Sequence, residues 1–253
     1  CEVKKLYSDI NHGCKLGVSK AINWFFENEK EGIILEDDCI PHKDFFYFCK
    51  DMLARFRSDE RIWCISAHNL QKGEIFGDGS YYFSRYSHCW GWATWKRCWD
   101  LYDPNIEQWP LIRKNNTLKQ ILDNKKQIKY WEKIFDNLFN HSFPDTWDYQ
   151  WTLSCLINSG LTVIPNINLI ENIGFDEEAT HTTEGRAYTD NHELNQKESG
   201  LYPLTHPKIL VRSKYADINV EHVCYSGYPI NSLKGLIFKL KKINRKIKTF
   251  FNL

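Results

Sequence analysis

The stretch from residue 14 to residue 65 decides the fold class. Val18, Ala21, Ile22, Phe25 and Phe26 recur at helical spacing across 14–29. Gly32 interrupts the pattern, and Ile33-Ile34-Leu35 follows as a short, wholly apolar run. Between two helices such a run predicts a strand covered on both faces, as in a parallel sheet. Pro41 is expected to open the next helix, whose stripe is Phe45, Cys49, Met52, Leu53 and Phe56. Another strand follows at Ile62 to Ile65. Helix–strand–helix–strand order is the alternation of an α/β domain with right-handed crossovers.

Further along, Tyr81-Tyr82-Phe83 reads as a strand and residues 93–101 as a short helix. Trp95 and Trp99, four apart, then form a packing corner on that helix. Residues 117–139 read as a long polar helix with a stripe at Trp131, Ile134, Phe135 and Leu138. It is expected to be part of a helical insertion spanning about 105–143. A helix over 147–159 should stop at Gly160, before a strand at Leu161 to Ile164. Residues 172–200 are polar and without period, which predicts a long loop. The expected division is a domain over 1–215 and an extension over 216–253.

Composition removes several function classes. With 33 basic and 32 acidic residues the formal charge is +1, unlike the strongly basic surfaces that bind nucleic acid. No apolar run approaches the ~20 residues that cross a bilayer. Nine cysteines occur without a CxxC, which disfavours a structural zinc site. Cys49, Cys64 and Cys155 fall in apolar patterns and read as buried free thiols, so a reducing cytoplasm is the expected compartment. An oxidising compartment with some disulfides is the alternative. Met52 is the single methionine and the chain opens on Cys1, so a fragment, a processed form or a trimmed chain is expected. Aromatics make up 15% of the residues; they serve either a core or sugar-binding faces, and only position separates the two.

Four local features carry chemistry. Glu36-Asp37-Asp38 directly follows the apolar run, which places three carboxylates at the C-terminal edge of a strand, where open α/β sheets bind ligands. Strand alternation puts Glu36 and Asp38 on one side and Asp37 on the other. Crowded carboxylates either hold a hard divalent cation with substrate phosphates or cap the helix that follows. Ser87-His88-Cys89-Trp90-Gly91-Trp92-Ala93-Thr94-Trp95 sets three tryptophans around one glycine, as a ligand-facing loop or a packing corner. Thr146-Trp147-Asp148-Tyr149-Gln150-Trp151 begins a helix, with Asp148 as either a general base or a cap. Asn172-Ile173-Gly174-Phe175 precedes Thr180-His181-Thr182, where His181 is a metal ligand or an ordinary loop histidine. Neither GxGxxG, nor a P-loop, nor a GxSxG elbow occurs in the sequence.

Taken in series, GIILEDDCIPHKDFFYFCKDML, RIWCISAHN, YYFSRYSHCWGWATWKRCWDLYD, WDYQW and NIGFDEEATHT resemble bacterial family 2-like glycosyltransferases of the GT-A fold. More distantly they resemble the EDD-motif N-acetylglucosaminyltransferases of the N-glycan pathway. The resemblance spans about residues 8–185. It implies an α/β, Rossmann-like, mostly parallel sheet flanked by helices and lacking the first strands, which should precede Asn11-His12-Gly13. It also implies transfer of a hexosyl or N-acetylhexosaminyl group from a nucleoside-diphosphate sugar, UDP-sugar favoured, to a glycan or lipid-linked acceptor. Mn²⁺ or Mg²⁺ would sit on the diphosphate with Asp38 and His181 as ligands. Glu36, Asp37, Lys15, Trp90, Gly91 and Trp92 would bind the donor, and Asp148 would be the base of an inverting transfer. Retention is left open, because no spacing fixes the stereochemistry.

Two other classes remain at this stage: a non-catalytic carbohydrate-binding protein built on the tryptophan loop, and a metal-dependent phosphoesterase. The latter would want a second acidic cluster, which the sequence does not offer. At the C-terminal end, Leu236, Ile237, Leu240, Ile243, Ile247, Phe250 and Phe251 recur at helical spacing. Seven Lys and Arg residues between Leu233 and Leu253 face no acid in that stretch. This basic amphipathic segment either adheres to an anionic membrane surface, making the protein peripheral at the inner face, or packs on the domain with its lysines solvated.

Overall fold

The computed structural model describes residues 2–174 and 200–221. His181, Cys224 and the basic stretch 233–253 lie outside them. The chain builds α1 (Gly13–Asn28), β1 (Glu31–Ile34), β2 (Cys39–Pro41), α2 (Lys43–Phe56), β3 (Ile62–Ser66), β4 (Tyr81–Ser84) and β5 (Trp92–Trp95). Short helices α3 (Lys96–Trp99), α4 (Trp109–Lys114) and α5 (Leu118–Ile121) lead to the long α6 (Lys125–His141). Then come α7 (Asp148–Ile157), β6 (Leu161–Pro165), β7 (Ile170–Asn172) and α8 (Lys214–Val220), the last of which crosses residue 215.

The fold is α/β with a mixed five-stranded sheet in the order β1-β5-β3-β6-β4. β3 and β6 pair in parallel at its centre, whereas the β1–β5, β3–β5 and β4–β6 ladders are antiparallel. Strands β1, β3 and β6 therefore run one way, and β4 and β5 the other. The expected mostly parallel sheet is met in the direction of three strands and corrected in its pairing. β5 is the reason. Residues 93–95, expected to start a helix over 93–101, belong with Trp92 to a strand inserted between β1 and β3, and the helix is confined to Lys96–Trp99. A second, two-stranded sheet pairs β2 with β7.

Other expectations shift with this arrangement. β1 is an edge strand whose four residues are all half-buried, not a strand covered on both faces. Pro41 ends β2 rather than opening α2; the cap of α2 is His42, whose Nδ1 accepts from the Asp44 amide at 3.1 Å. Gly160 is not the left-handed stop of α7, because Ser159 takes that conformation with φ 56°. Gly160 is needed for another reason: a Cβ there would collide with the Trp63 indole. The predicted helix over 117–139 is split into α5 and α6, with the turn between them at residues 122–124.

Two apolar clusters hold the structure. One joins α1, α2 and the sheet through Phe26, Phe45, Phe48, Met52, Ile65, Trp92 and Trp151. The other seats the helical segment on α7 through Trp109, Trp131, Phe135, Leu153 and Leu156. Eight of the ten tryptophans are buried, with Trp24 and Trp90 half-exposed, so position answers the aromatic question mainly in favour of core filling. Trp92 is central, with ring centroids 5.4 Å from Trp147 and 5.5 Å from Trp151. Truncation of such a ring costs about 3–5 kcal/mol. Trp92→Ala is accordingly expected to shift the denaturant midpoint by that stability loss. An unchanged midpoint would show that the ring is not part of the core.

Cys14, Cys39, Cys49, Cys64, Cys89, Cys98 and Cys155 are free thiols, and Cys49, Cys64 and Cys155 are buried as expected. Among the described residues no helix is long and apolar enough to cross a membrane.

Candidate functional site

Strand direction decides which loops meet. The C-terminal ends of β1, β3 and β6 lie along the same sheet edge as the N-terminal ends of the opposed β4 and β5. That edge receives Glu36-Asp37-Asp38 after β1, His68-Asn69 after β3, and Cys89-Trp90-Gly91 before β5.

The acids do not cap α2, since β2 and the His42 cap intervene. They occupy a turn closed by the Cys39 amide donating to the Glu36 carbonyl at 3.2 Å. Glu36 and Asp38 are half-buried and Asp37 is exposed, as alternation predicts. The small sheet then clamps this turn. Cys39 pairs with Asn172, and the Ile173 amide donates to the Asp38 carbonyl at 2.9 Å. The NIG segment thus reaches the acids through backbone pairing, and a Cβ on Gly174 would collide with Asp38 Oδ2. The glycine keeps a side chain off that carboxylate.

Asp148 joins the same acids. Burial, followed by the negative charge of Asp38, pushes the Glu36 carboxyl up to about 7, and Asp148 adds to the effect. Trp147, buried in the tryptophan cluster, donates from Nε1 to Glu36 Oε1 at 3.3 Å. Asp148 occupies the first turn of α7 without being its cap; Trp147 holds the cap position and makes no side-chain cap bond. The Asp148 Oδ1 accepts instead from the Thr146 hydroxyl. Removing one acid therefore changes the protonation of another, as expected for coupled carboxylates.

Three half-buried thiols line this acidic region. Burial and then Glu36 push the Cys14 thiol up to about 11, and burial and then Asp38 push Cys39 up to about 12. Cys89 is raised well above its usual value by burial, then by Asp148 and Glu36. Each stays a protonated thiol at neutral pH. Asp145, two residues before Trp147, accepts from the Cys14 amide at 2.9 Å and the Lys15 amide at 3.4 Å. It supplies the side-chain cap of α1 that His12 does not, and this fixes the start of α1 beside the Asp148 loop.

The tryptophan loop divides between edge and core. Trp90 is half-exposed and lies on His68, with ring centroids 4.4 Å apart and planes 30° apart. His88 closes on His68 edge-to-face at 5.7 Å, and its burial pushes the imidazole down to about 4, so it is neutral. Trp92 is fully buried in the core, which corrects its expected donor-binding role. Gly91 is corrected in the same way. It has φ +60°, and a Cβ would collide with Ile170 and Phe45, so the glycine permits internal packing rather than ligand approach.

Lys15, expected to bind donor, directs its ammonium to Asn105 Oδ1 at 3.4 Å. Among the described residues no hydrogen bond joins it to the acids. Residue patterns alone assigned no role at the site to His68, Trp147 or Thr146, although the stretch from Thr146 to Trp151 stood out as a whole. The signal for His68 was its place just past a buried strand; Trp147 and Thr146 flank Asp148 but reveal their partners only in three dimensions. No protein-family model matches the chain, and no curated protein matches it either.

Proposed function

We propose that the chain is a metal-dependent glycosyltransferase domain, moving a sugar from a nucleoside-diphosphate donor to a glycan or lipid-linked acceptor with inversion. The observation that supports this most is the meeting of Glu36 and Asp38 with Asp148 at one sheet edge. Such acids separate into two tasks. Asp38, uncovered by Gly174, is suited to a hard cation, and Asp148, oriented by Thr146, is suited to accept a proton.

Among the described residues no three His, Cys, Asp or Glu side chains form a group that could hold a metal on their own. Mn²⁺ or Mg²⁺ would be held by one or two carboxylates, with substrate phosphate and water completing the shell. The bound ion would supply Lewis-acid stabilisation of the departing diphosphate. Asp148 would take the proton from the acceptor hydroxyl as that oxygen attacks the anomeric carbon. Glu36, held by Trp147, would accept hydrogen bonds from donor hydroxyls. Trp90, backed by His68, offers an aromatic face to a pyranose ring.

Titration calorimetry with UDP-sugars, with and without Mn²⁺, tests the proposal. Nucleotide binding that depends on the metal is the expected result. Sugar binding without nucleotide would replace the proposal with a carbohydrate-binding module. Hydrolysis of the diphosphate without any acceptor would replace it with a phosphoesterase.

A further inference from the structure

Two loops bring aromatic rings to the site edge. Residues 67–80 follow β3 and carry His68, and residues 85–91 join β4 to β5 and carry Trp90. At the edge one backbone bond joins them, the Ala67 amide donating to the Gly91 carbonyl at 2.9 Å. The neighbours of those two residues, His68 and Trp90, are the stacked pair. A single bond fixes neither ring plane. A binding constellation keeps its geometry only where further packing and hydrogen bonds lock the segments that carry it.

α8 supplies such bonds to both loops. It is tied to β4 by the Ser213 amide, which donates to the Phe83 carbonyl at 2.7 Å. Asp217, 1% exposed, then gathers the start of the 85–91 loop. Its carboxylate accepts from the Ser84 hydroxyl at 2.6 Å and from the Arg85 amide and Nε, both at 3.3 Å. Ser84 Oγ in turn accepts from the Tyr86 amide at 3.0 Å, so one carboxylate orders three consecutive residues. Arg212 Nε adds a further donor to Asp217 at 3.2 Å, and these donors suit an ionised carboxylate, which can only accept. The 67–80 loop is gripped through Gln71, also 1% exposed. Its Nε2 donates to the Ala216 carbonyl at 3.1 Å, and its Oε1 accepts from Asn219 at 3.0 Å. Gln71 passes the constraint back toward His68, because its amide donates to Asn69 Oδ1 at 2.6 Å. Asn69 Nδ2 donates to the Pro165 carbonyl at 2.6 Å, at the end of β6.

We propose that α8 is a clamp that positions the aromatic face of the site: Asp217, through residues 84–86, and Gln71, through residues 69–71, keep Trp90 lying on His68. Both are positioning residues, since their burial keeps them from touching a ligand. The proposal rests on the reading of Trp90 and His68 as a face for a sugar ring. The acidic turn has a separate support, because β2 and β7 hold it through the Ile173 amide on the Asp38 carbonyl. Loosening α8 should therefore weaken the hold on the sugar and leave the hold on the nucleotide diphosphate as it is.

The chemical shift of the His68 ring protons reads the pair in the whole chain without any ligand. A stacked indole displaces those protons from the position they take in Trp90→Ala, and His68→Gln assigns them in isotope-labelled protein. Ser84→Ala and Gln71→Met each remove one link and no charge. Both are expected to move the shift toward that of Trp90→Ala, while Ile112→Ala, a core truncation in α4, leaves it in place. An unmoved shift in the folded link variants overturns the proposal, and so does equal movement in Ile112→Ala. No difference between the unsubstituted chain and Trp90→Ala overturns it with no link variant needed. Calorimetry with Mn²⁺ then separates sugar from nucleotide: the link variants should bind UDP-sugar about 2–10-fold more weakly and UDP unchanged. Equal weakening of both ligands overturns the clamp. If the unsubstituted chain binds neither ligand, the transferase reading fails, and the shift measurement still decides the clamp.

Discussion

Asp148→Asn is expected to retain nucleotide-sugar binding and to lose transfer by about 10²–10⁴, the range for removal of a general base. The amide keeps the shape of the carboxyl, and its oxygen still accepts from the Thr146 hydroxyl that holds Asp148 in place. What disappears is the second oxygen's capacity to take a proton. The fold has little at stake. An acid in the first turn of a helix contributes about 0.3–1 kcal/mol, and Asp148 is not the cap of α7. Initial rates and calorimetric donor affinity, measured on the same preparation, separate the two effects. Transfer within a few-fold of the unsubstituted chain would remove Asp148 from the chemistry. Parallel loss of rate and of donor affinity would assign it to binding instead.

How far the amino-acid sequence anticipates this site differs from residue to residue. The acidic turn after β1 was legible because an apolar run, a glycine before it and three acids after it are all local. α1, α2, β3 and β6 were legible for the same reason: their periods are contained within the segment. β5 was not. Trp92-Ala93-Thr94-Trp95 is buried at every position, so no alternation marks it as a strand, and Trp95 with Trp99 imitates a helical spacing. Its antiparallel insertion between β1 and β3 depends on pairings such as Gly32 with Thr94 and Ser66 with Trp92, which no local pattern contains.

The same limit explains the tryptophan loop. Trp90 and Trp92 are chemically identical and two residues apart, yet one lies half-exposed on His68 and the other lies in the core. The difference is set by where β5 begins. Trp147 was hidden for a related reason: its indole is anchored by the core cluster, while its N–H reaches Glu36 in a motif far away along the chain. Residues that connect two motifs are visible only once the fold has brought the motifs together.

Asp38→Ala is expected to abolish metal-dependent nucleotide binding, whereas Asp37→Ala should reduce it only mildly. Asp37 is exposed on the turn, while Asp38 is half-buried, bare of any side chain from Gly174, and one of the charges that raise Glu36. Loss of Asp38 has two consequences in opposite directions. It removes the oxygen best placed for a cation, and it lets Glu36 ionise more readily, because a neighbouring like charge is gone. The second effect provides an internal control. In the unsubstituted chain a cation competes with the proton on Glu36, so Mn²⁺ affinity should rise with pH through about 7, where that carboxyl titrates. In Asp38→Ala no residual metal-dependent affinity should appear even at pH 8, where Glu36 is charged. Recovery of affinity at high pH would transfer the ligand role from Asp38 to Glu36, and Mn²⁺-dependent UDP affinity unchanged at every pH would sink the metal assignment altogether.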